Sequence, residues 1–411
     1  YLDEATKAAA ITNFNKNAFP LIRAVLPATA TEKVFSVQPM LGPTSQIFVL
    51  QPVYGTTTSK VNAGDPLWKN HDPNYGDSVI EDEELAIGDG TTKTKGTVTL
   101  PFLPVVRGSL NIEAEGATCS DDGNGVIIGD ASGTINYSTG ALALNWTTAP
   151  ADGVPVVGRW SVDNETDADA IPDIDLLLTS YPVTARRKAI KFRFSLIAQF
   201  ALRDQYGVEA EAELIKATGA EIAYGIDTQN FRVVVGSAIN KTEDTAFTFD
   251  ATYLGGASNI SRKELYEGFI YNLIQGSTEI LTQSGRAVGN FLLVPPLVGN
   301  ILQTIGLPRF ESYPMQATRG IQLIGKLDGR WDIFQTVNPE YLKLKTNHYL
   351  IGCKNEDFLQ AGYVWAPWIA AFETPTTTLD DFQARKGMAS LSGHRLIDAK
   401  FFLKAAVKGL S

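Results

Sequence analysis

The chain has 411 residues, 44% hydrophobic and 19% charged, with its 36 glycines and 20 prolines dispersed. That suffices for two or three packed units and excludes a low-complexity polymer. The formal net charge of -10 comes without a Lys/Arg block, which argues against a protein that wraps or reads nucleic acid, and no apolar run reaches bilayer-spanning length.

Residues 1 to about 35 read as an arm, with two short helical patches broken by Pro20 and Pro27. The chain starts at Tyr1 rather than Met, which implies a trimmed start. "SQIFVLQPVYG" (Ser45 to Gly55) predicts a strand. Residues 56–84 read as a polar loop that ends in the acidic run Glu81, Asp82, Glu83 and Glu84. That run is a solvated loop or one that meets a basic partner. From about Thr94 to Asn164 short alternating segments separated by Gly, Asp and Ser predict a small all-β sandwich or barrel, inserted into a longer element. "YPVTARRKAIKFRFS" (Tyr181 to Ser195) resumes the outer strand texture.

"SLIAQFALRDQYG" reads as a helix stopped by Gly207, and a long helix follows from about Val208 to Val235. Ile215, Gly219, Ile222, Ile226 and Val233 fall on one stripe, and Glu209, Glu211, Glu213 and Glu221 stay off it. Gly219 and Gly225 each weaken a helix by about 1 kcal/mol against alanine, so they point to a close backbone approach. Residues 260–285 predict another helix, "GNFLLVPP" a buried strand and "LVGNILQTIG" a short helix. Strands follow at "IQLIGKL", "RWDIFQTV", "HYLIGCK", "AGYVWAPWIAAFE" and "HRLIDAKFFLKAAV".

Chemistry is sparse. Three histidines (His71, His348 and His394) lack a partner at metal-ligand spacing and read as structural. "GDGTTKTKG" lacks the Lys-Ser/Thr ending of a phosphate loop and reads as a hairpin tip, and "SDDGNG" reads as a turn rather than a calcium loop. The aromatics of Gly362–Glu373 read as strand core rather than a ligand platform. Cys119 and Cys353 are too few for a disulfide framework, so a reducing compartment is expected. No catalytic residue, cofactor site or metal site is assigned.

Three blocks nevertheless carry a resemblance. The first is "VTARRKAIKFRFSLIAQFALRDQYGVEAEAELIKATGAEIAYGID", with Arg186, Arg187, Lys188, Asp204, Gly207, Glu211, Glu213, Leu214, Glu221, Ile222 and Asp227 in order. The second has Thr282, Gly285, Arg286, Gly289, Asn290 and Phe291; the third has Tyr363, Ala366, Pro367, Phe382, Gln383, Arg385 and Gly387. Together they resemble the T4-like major head proteins of tailed phages, which have the HK97-type shell fold. The third block departs from the family ending with "LSGHR".

The resemblance implies an α+β capsid fold. Residues 1–44 would be an N-terminal arm; 45–96 and 166–194 an extended loop; 97–165 an inserted β domain. Residues 195–240 and 376–411 would form a peripheral domain with a spine helix packed through Ile215, Gly219, Ile222 and Ile226, and 241–375 an axial domain. It implies a non-enzymatic subunit that self-assembles as hexameric capsomers into an icosahedral head around double-stranded DNA, without sequence-specific binding and without a membrane. Assembly would occur in the host cytoplasm, with pentameric capsomers, vertex and decoration proteins, portal, scaffold and a maturation protease as partners. Glu81, Asp82, Glu83 and Glu84 would meet Arg186, Arg187 and Lys188 of a neighbouring subunit. A pentameric vertex protein of the same fold and an encapsulin-like compartment shell are the alternatives. A secreted glycan-binding protein and an enzyme rank behind them.

Overall fold

A computed structural model describes residues 29–163, 171–207, 209–252, 262–306, 308–314, 320–355, 360–378 and 383–409. Most of the expected arm, and the expected helix start at Val208, lie outside these residues. The chain divides into two units: one is Gln51–Leu177, the other is the chain on either side of it.

Ala30–Val34 is a single helical turn (α1), followed by the short strand β1 (Ser36–Val37). β2 (Thr44–Tyr54) forms a two-stranded ribbon with β11 (Ile174–Thr184). Between them lie β3 (Val79–Ile87), β4 (Thr94–Thr99), β5 (Asn111–Ala114), β6 (Ala117–Asp121), β7 (Val126–Gly129), β8 (Ala131–Ile135), β9 (Ala141–Trp146) and β10 (Pro155–Ser161). These eight form a nearly closed, barrel-like antiparallel sheet in the order β3-β10-β5-β6-β7-β8-β9-β4. Alternation explains it: Ile112, Leu142, Leu144, Trp146, Val156 and Trp160 point inward from their strands to one core.

Two expectations change here. The sheet begins at Val79, not at residue 97, and the acidic run lies in β3 rather than in a loop. Four acidic residues in a row hide the strand because charged residues are depleted in strands. The run is accommodated by a bulge. Asp82 has φ +49, and three steps of β3 (Ile80 to Glu83) oppose two of β10 (Trp160 to Gly158). The extra residue turns Glu83 inward while Glu81, Asp82 and Glu84 stay exposed.

In the other unit β12 (Arg186–Ser195) runs into α2 (Leu196–Tyr206), which Gly207 ends in the left-handed conformation, φ +65. The 28-residue α3 (Ala210–Ser237) follows, then the short strands β13 (Ile239–Asn240) and β14 (Phe249–Asp250). Next come α4 (Arg262–Ser284), β15 (Phe291–Val294), α5 (Pro296–Ile305), β16 (Phe310–Ser312), β17 (Gln322–Leu327), β18 (Trp331–Gln335) and β19 (His348–Gly352). The chain ends with β20 (Tyr363–Glu373), β21 (Thr377–Thr378), β22 (Gln383–Leu396) and β23 (Phe402–Lys408).

Two sheets result. β1-β20-β22-β12, with β21 beside β22, forms the first. The second is mixed, in the order β13-β23-β19-β15-β18-β17-β16, with β14 also on β23. The closing sequence is therefore not one strand: it ends β22, makes a tight turn in which Asp398 accepts the Lys400 N–H at 3.0 Å, and begins β23. β20 belongs to the sheet of β12 and β22, whereas β23 belongs to the sheet of β15 and β19. Boundaries at 240/241 and 375/376 thus cut across both sheets.

β15 is buried on both sides. Leu292 and Val294 face a core with α4 and α5, and Phe291 and Leu293 face another with α3. This is why "FLLV" reads as a continuous apolar run. Gly352, in β19, pairs with Phe291, and a Cβ there would fall on the Phe291 ring. Gly352→Ala is expected to destabilise the fold by about 1–3 kcal/mol through overpacking, read from a denaturation midpoint at unchanged slope.

Candidate functional site: the long helix and the turn anchored on it

α3 spans both sheets of its unit. Its middle places Ile222 and Ile226, both buried, against Trp365 of β20 and Met388 of β22, with Ile190 and Ile215 half-buried at the edge. Its second half places Phe231, Val234 and Val235 in the core that includes Leu293, Leu350 and Phe402. Its start is tied by charge. Lys386 Nζ of β22 donates to Glu211 at 2.9 Å and lies 3.1 Å from Glu373 of β20. The Lys386 bond, with Thr376, holds the Glu211 carboxyl below its usual range.

Gly219 is buried in the helix. At Gly225 a side chain would fall on the ammonium of Lys188, so the glycine leaves the channel through which Lys188 crosses the helix. Burial lowers the Lys188 pKa, and Glu221 and Asp227 oppose that shift.

The sequence reading missed the anchor beside it. Asp227 and Asn230 lie on the buried side of α3. Asp227 accepts the backbone N–H groups of Ala30 at 3.0 Å and Thr31 at 2.9 Å, and the Thr31 hydroxyl at 2.6 Å. Asn230 donates to Thr31 Oγ1 at 3.2 Å and accepts from the Tyr363 hydroxyl at 3.0 Å. At the other end of α1, Lys354 Nζ donates to the carbonyls of Glu32 and Lys33 at 2.9 and 3.0 Å. A carboxylate thus sits at the start of the turn and an ammonium at its end, which matches the sign of the helix dipole. Phe35 follows and packs tilted or edge-on among Phe231 (4.9 Å), Tyr363 (4.6 Å), Phe291 and Phe402 (both 6.2 Å). The available signal was a polar pair inside an apolar stripe.

The charged residues singled out in the sequence lie in different units. Glu81 pairs with Arg159 of β10 at 2.6 Å, both exposed. Glu83 is 1% exposed; it accepts from Ser59, from Lys60 at 3.1 Å and from Asn74 at 2.9 Å. Arg186 and Arg187 are exposed, and Lys188 is half-buried. Glu83 and Lys188 therefore have work inside the chain.

Among the described residues reactive chemistry is not assembled. Burial pushes the Cys119 and Cys353 thiols up to about 11, so both stay protonated at neutral pH. Burial also lowers the pKa values of His348 and His394. Among the described residues no group of three or more His, Cys, Asp or Glu could hold a metal ion. What remains is exposed apolar surface. No residue of α2 is buried, and Ile197 and Phe200 are 74% and 62% exposed. On β11, Ile174, Leu176, Leu177 and Leu178 are all exposed.

The family profile "Major capsid protein Gp23" matches residues 11–407. The chain is 22% identical to the major capsid protein of Enterobacteria phage T4, over 94% of this chain and 76% of the relative. It is 23% identical to that of Vibrio phage KVP40, over 89% and 73%. Solved structures are less similar. The jumbo bacteriophage PhiKZ capsid aligns over 92% of both chains at 10% identity and TM-score 0.40. The capsid of Myoviridae phage XM1 aligns over 79% and 89% at 11% and 0.35.

Two neighbouring acids should separate in a stability assay. Glu83→Ala strands buried donors and is expected to cost about 1–3 kcal/mol. Glu81→Ala removes an exposed pair and should cost under about 1 kcal/mol. Equal effects in urea unfolding would contradict the inward turn of Glu83.

Proposed function

We propose which faces build the shell in this chain, which belongs to the major capsid protein Gp23 family of tailed phages. The protein is a structural component of the virion capsid and not an enzyme; it self-assembles into the phage head shell.

The observation that carries this reading is the apolar surface of β11 and α2. Four apolar side chains within five residues of β11, from Ile174 to Leu178, cannot all face one side of a strand, because successive side chains alternate. Ile197 and Phe200, three residues apart, share one face of α2. Contiguous exposed apolar surface marks an interaction site. In a chain whose family builds shells, the fitting occupant is another copy, repeated by symmetry.

On this reading the β2–β11 ribbon is the extended loop of an HK97-type subunit, and the β3–β10 sheet is its insert. α3 with the β12–β22–β20 sheet is the peripheral part, and α4, α5 and the mixed sheet are the axial part around a hexameric capsomer. Exposed Asp82 and Glu84 meet exposed Arg186 and Arg187 of a neighbour; Glu81, which already pairs with Arg159, and Glu83 and Lys188 do not take part. Each such pair is worth about 0–1 kcal/mol, so it sets register and encounter rather than affinity. The net charge of -10 suits a wall that encloses DNA without holding it. Vertex and decoration proteins, portal, scaffold and maturation protease remain the partners expected of such a shell.

Replacing Ile197 and Phe200 together with Ser tests this. Because Ile197 and Phe200 are exposed in the subunit, it should keep its circular dichroism and its melting temperature. Rings and shells seen by negative stain should fall at least tenfold at equal protein concentration, the loss expected from about 1.4 kcal/mol per contact. Undiminished assembly by the doubly substituted chain would remove α2 from the interface.

A further inference from the structure

The α1 turn is held at both ends by charged side chains distant in sequence, and its two ends differ in kind. Lys354 is half-buried and donates to the carbonyl oxygens of Glu32 and Lys33, which carry no proton to exchange. Asp227 is 2% exposed, and the turn caps its carboxyl: Ala30 and Thr31 sit on its two oxygens. Opening the turn therefore returns the carboxyl to water. Closing it removes the carboxyl from water.

We propose that Ala30–Val34 is a proton-linked latch, in which docking of the turn on Asp227 is coupled to protonation of that carboxyl, so that the latch tightens as pH falls and loosens as it rises. The latch joins α1 to α3. The proposal concerns contacts within one subunit and stands whether or not the assembly reading holds.

The groups that face Asp227 set the sign. From α1 come the Thr31 hydroxyl and, nearby, Lys33, which lines the same cleft as Asp227. From β12 comes Lys188, which lies over α3. From α3 itself come Glu221, Tyr224 and Asn230, with Tyr363 of β20 behind Asn230. The donors and Lys188 favour the carboxylate, but burial outweighs them and raises Asp227 from 3.8 to about 6. A carboxyl whose pKa is higher in the closed state binds its proton more tightly there. Closure is then favoured fully below the open-state pKa and loses that contribution as pH rises through about 6. Protonation need not empty the site, since the Thr31 hydroxyl can accept from the acid as well as donate to the carboxylate.

Hydrogen–deuterium exchange tests the latch on the full chain. Peptides covering residues 29–35 are followed between pH 5 and pH 8, with intrinsic exchange rates divided out. The opening equilibrium should rise about tenfold over that range, the change given by linkage for a carboxyl at about 6 when closed and 3.8 when open. Asp227→Asn should flatten the pH dependence. Lys354→Met should raise opening by the same factor at every pH and leave the slope in place. Three results would each overturn the proposal: protection independent of pH in the wild type, protection that rises with pH, or the wild-type slope persisting in Asp227→Asn. An unchanged opening equilibrium in Lys354→Met would overturn the two-ended hold. Should Asp227→Asn fail to fold, the wild-type slope still decides the matter.

Discussion

The unit that carries α3 depends on one helix lying across two sheets. Ile222 and Ile226 commit its middle to the sheet of β12, β20 and β22, and Phe231, Val234 and Val235 commit its last two turns to the core behind β15 and β23. Neither sheet could shift along the helix without exposing one set of side chains. The segment from Ala30 to Phe35 closes the arrangement from outside. Its backbone is fixed by Asp227 and Lys354, and the Phe35 ring fills the space among four other aromatics. A helix with no reactive group thus sets the position of everything packed on it.

Charge is used locally for the same end. Lys386 joins the start of α3 to two strands of one sheet, and Lys188 crosses the helix where Gly225 leaves room. Exposed ion pairs such as Glu81–Arg159 contribute little by themselves. The buried Glu83 carboxylate, held by Lys60 and by the Asn74 amide, fixes a loop, because it would otherwise be stranded away from water. The same acidic run therefore contains both kinds, and only the bulge at Asp82 tells them apart.

Periodicity made much of this legible. The inward alternation of the barrel-like sheet and the double-sided run "FLLV" each follow from side-chain geometry, and each appears in the structure. What stayed hidden was set by distant partners. β3 was masked by its own charge. β22, from Gln383 to Leu396, has little apolar rhythm, because β12 and β20 pair along both its edges and supply its backbone bonds. Asp227 looked like one more acid on an acidic helix. Its burial depends on Ala30 and Thr31, nearly two hundred residues away in sequence, and no local pattern encodes that. The family resemblance pointed to a shell subunit but not to these contacts.

β15 has a further consequence. Leu292 and Leu293 are adjacent in the chain, yet they belong to different cores. A four-residue strand cannot be withdrawn from one core and kept in the other, because both rest on the same backbone. Its partners β18 and β19 are wired the same way: Ile333 and Phe334, and Leu350 and Ile351, also divide between the two cores. The middle of the mixed sheet is a shared wall, not a boundary, and the two halves it separates are bound to yield together or not at all.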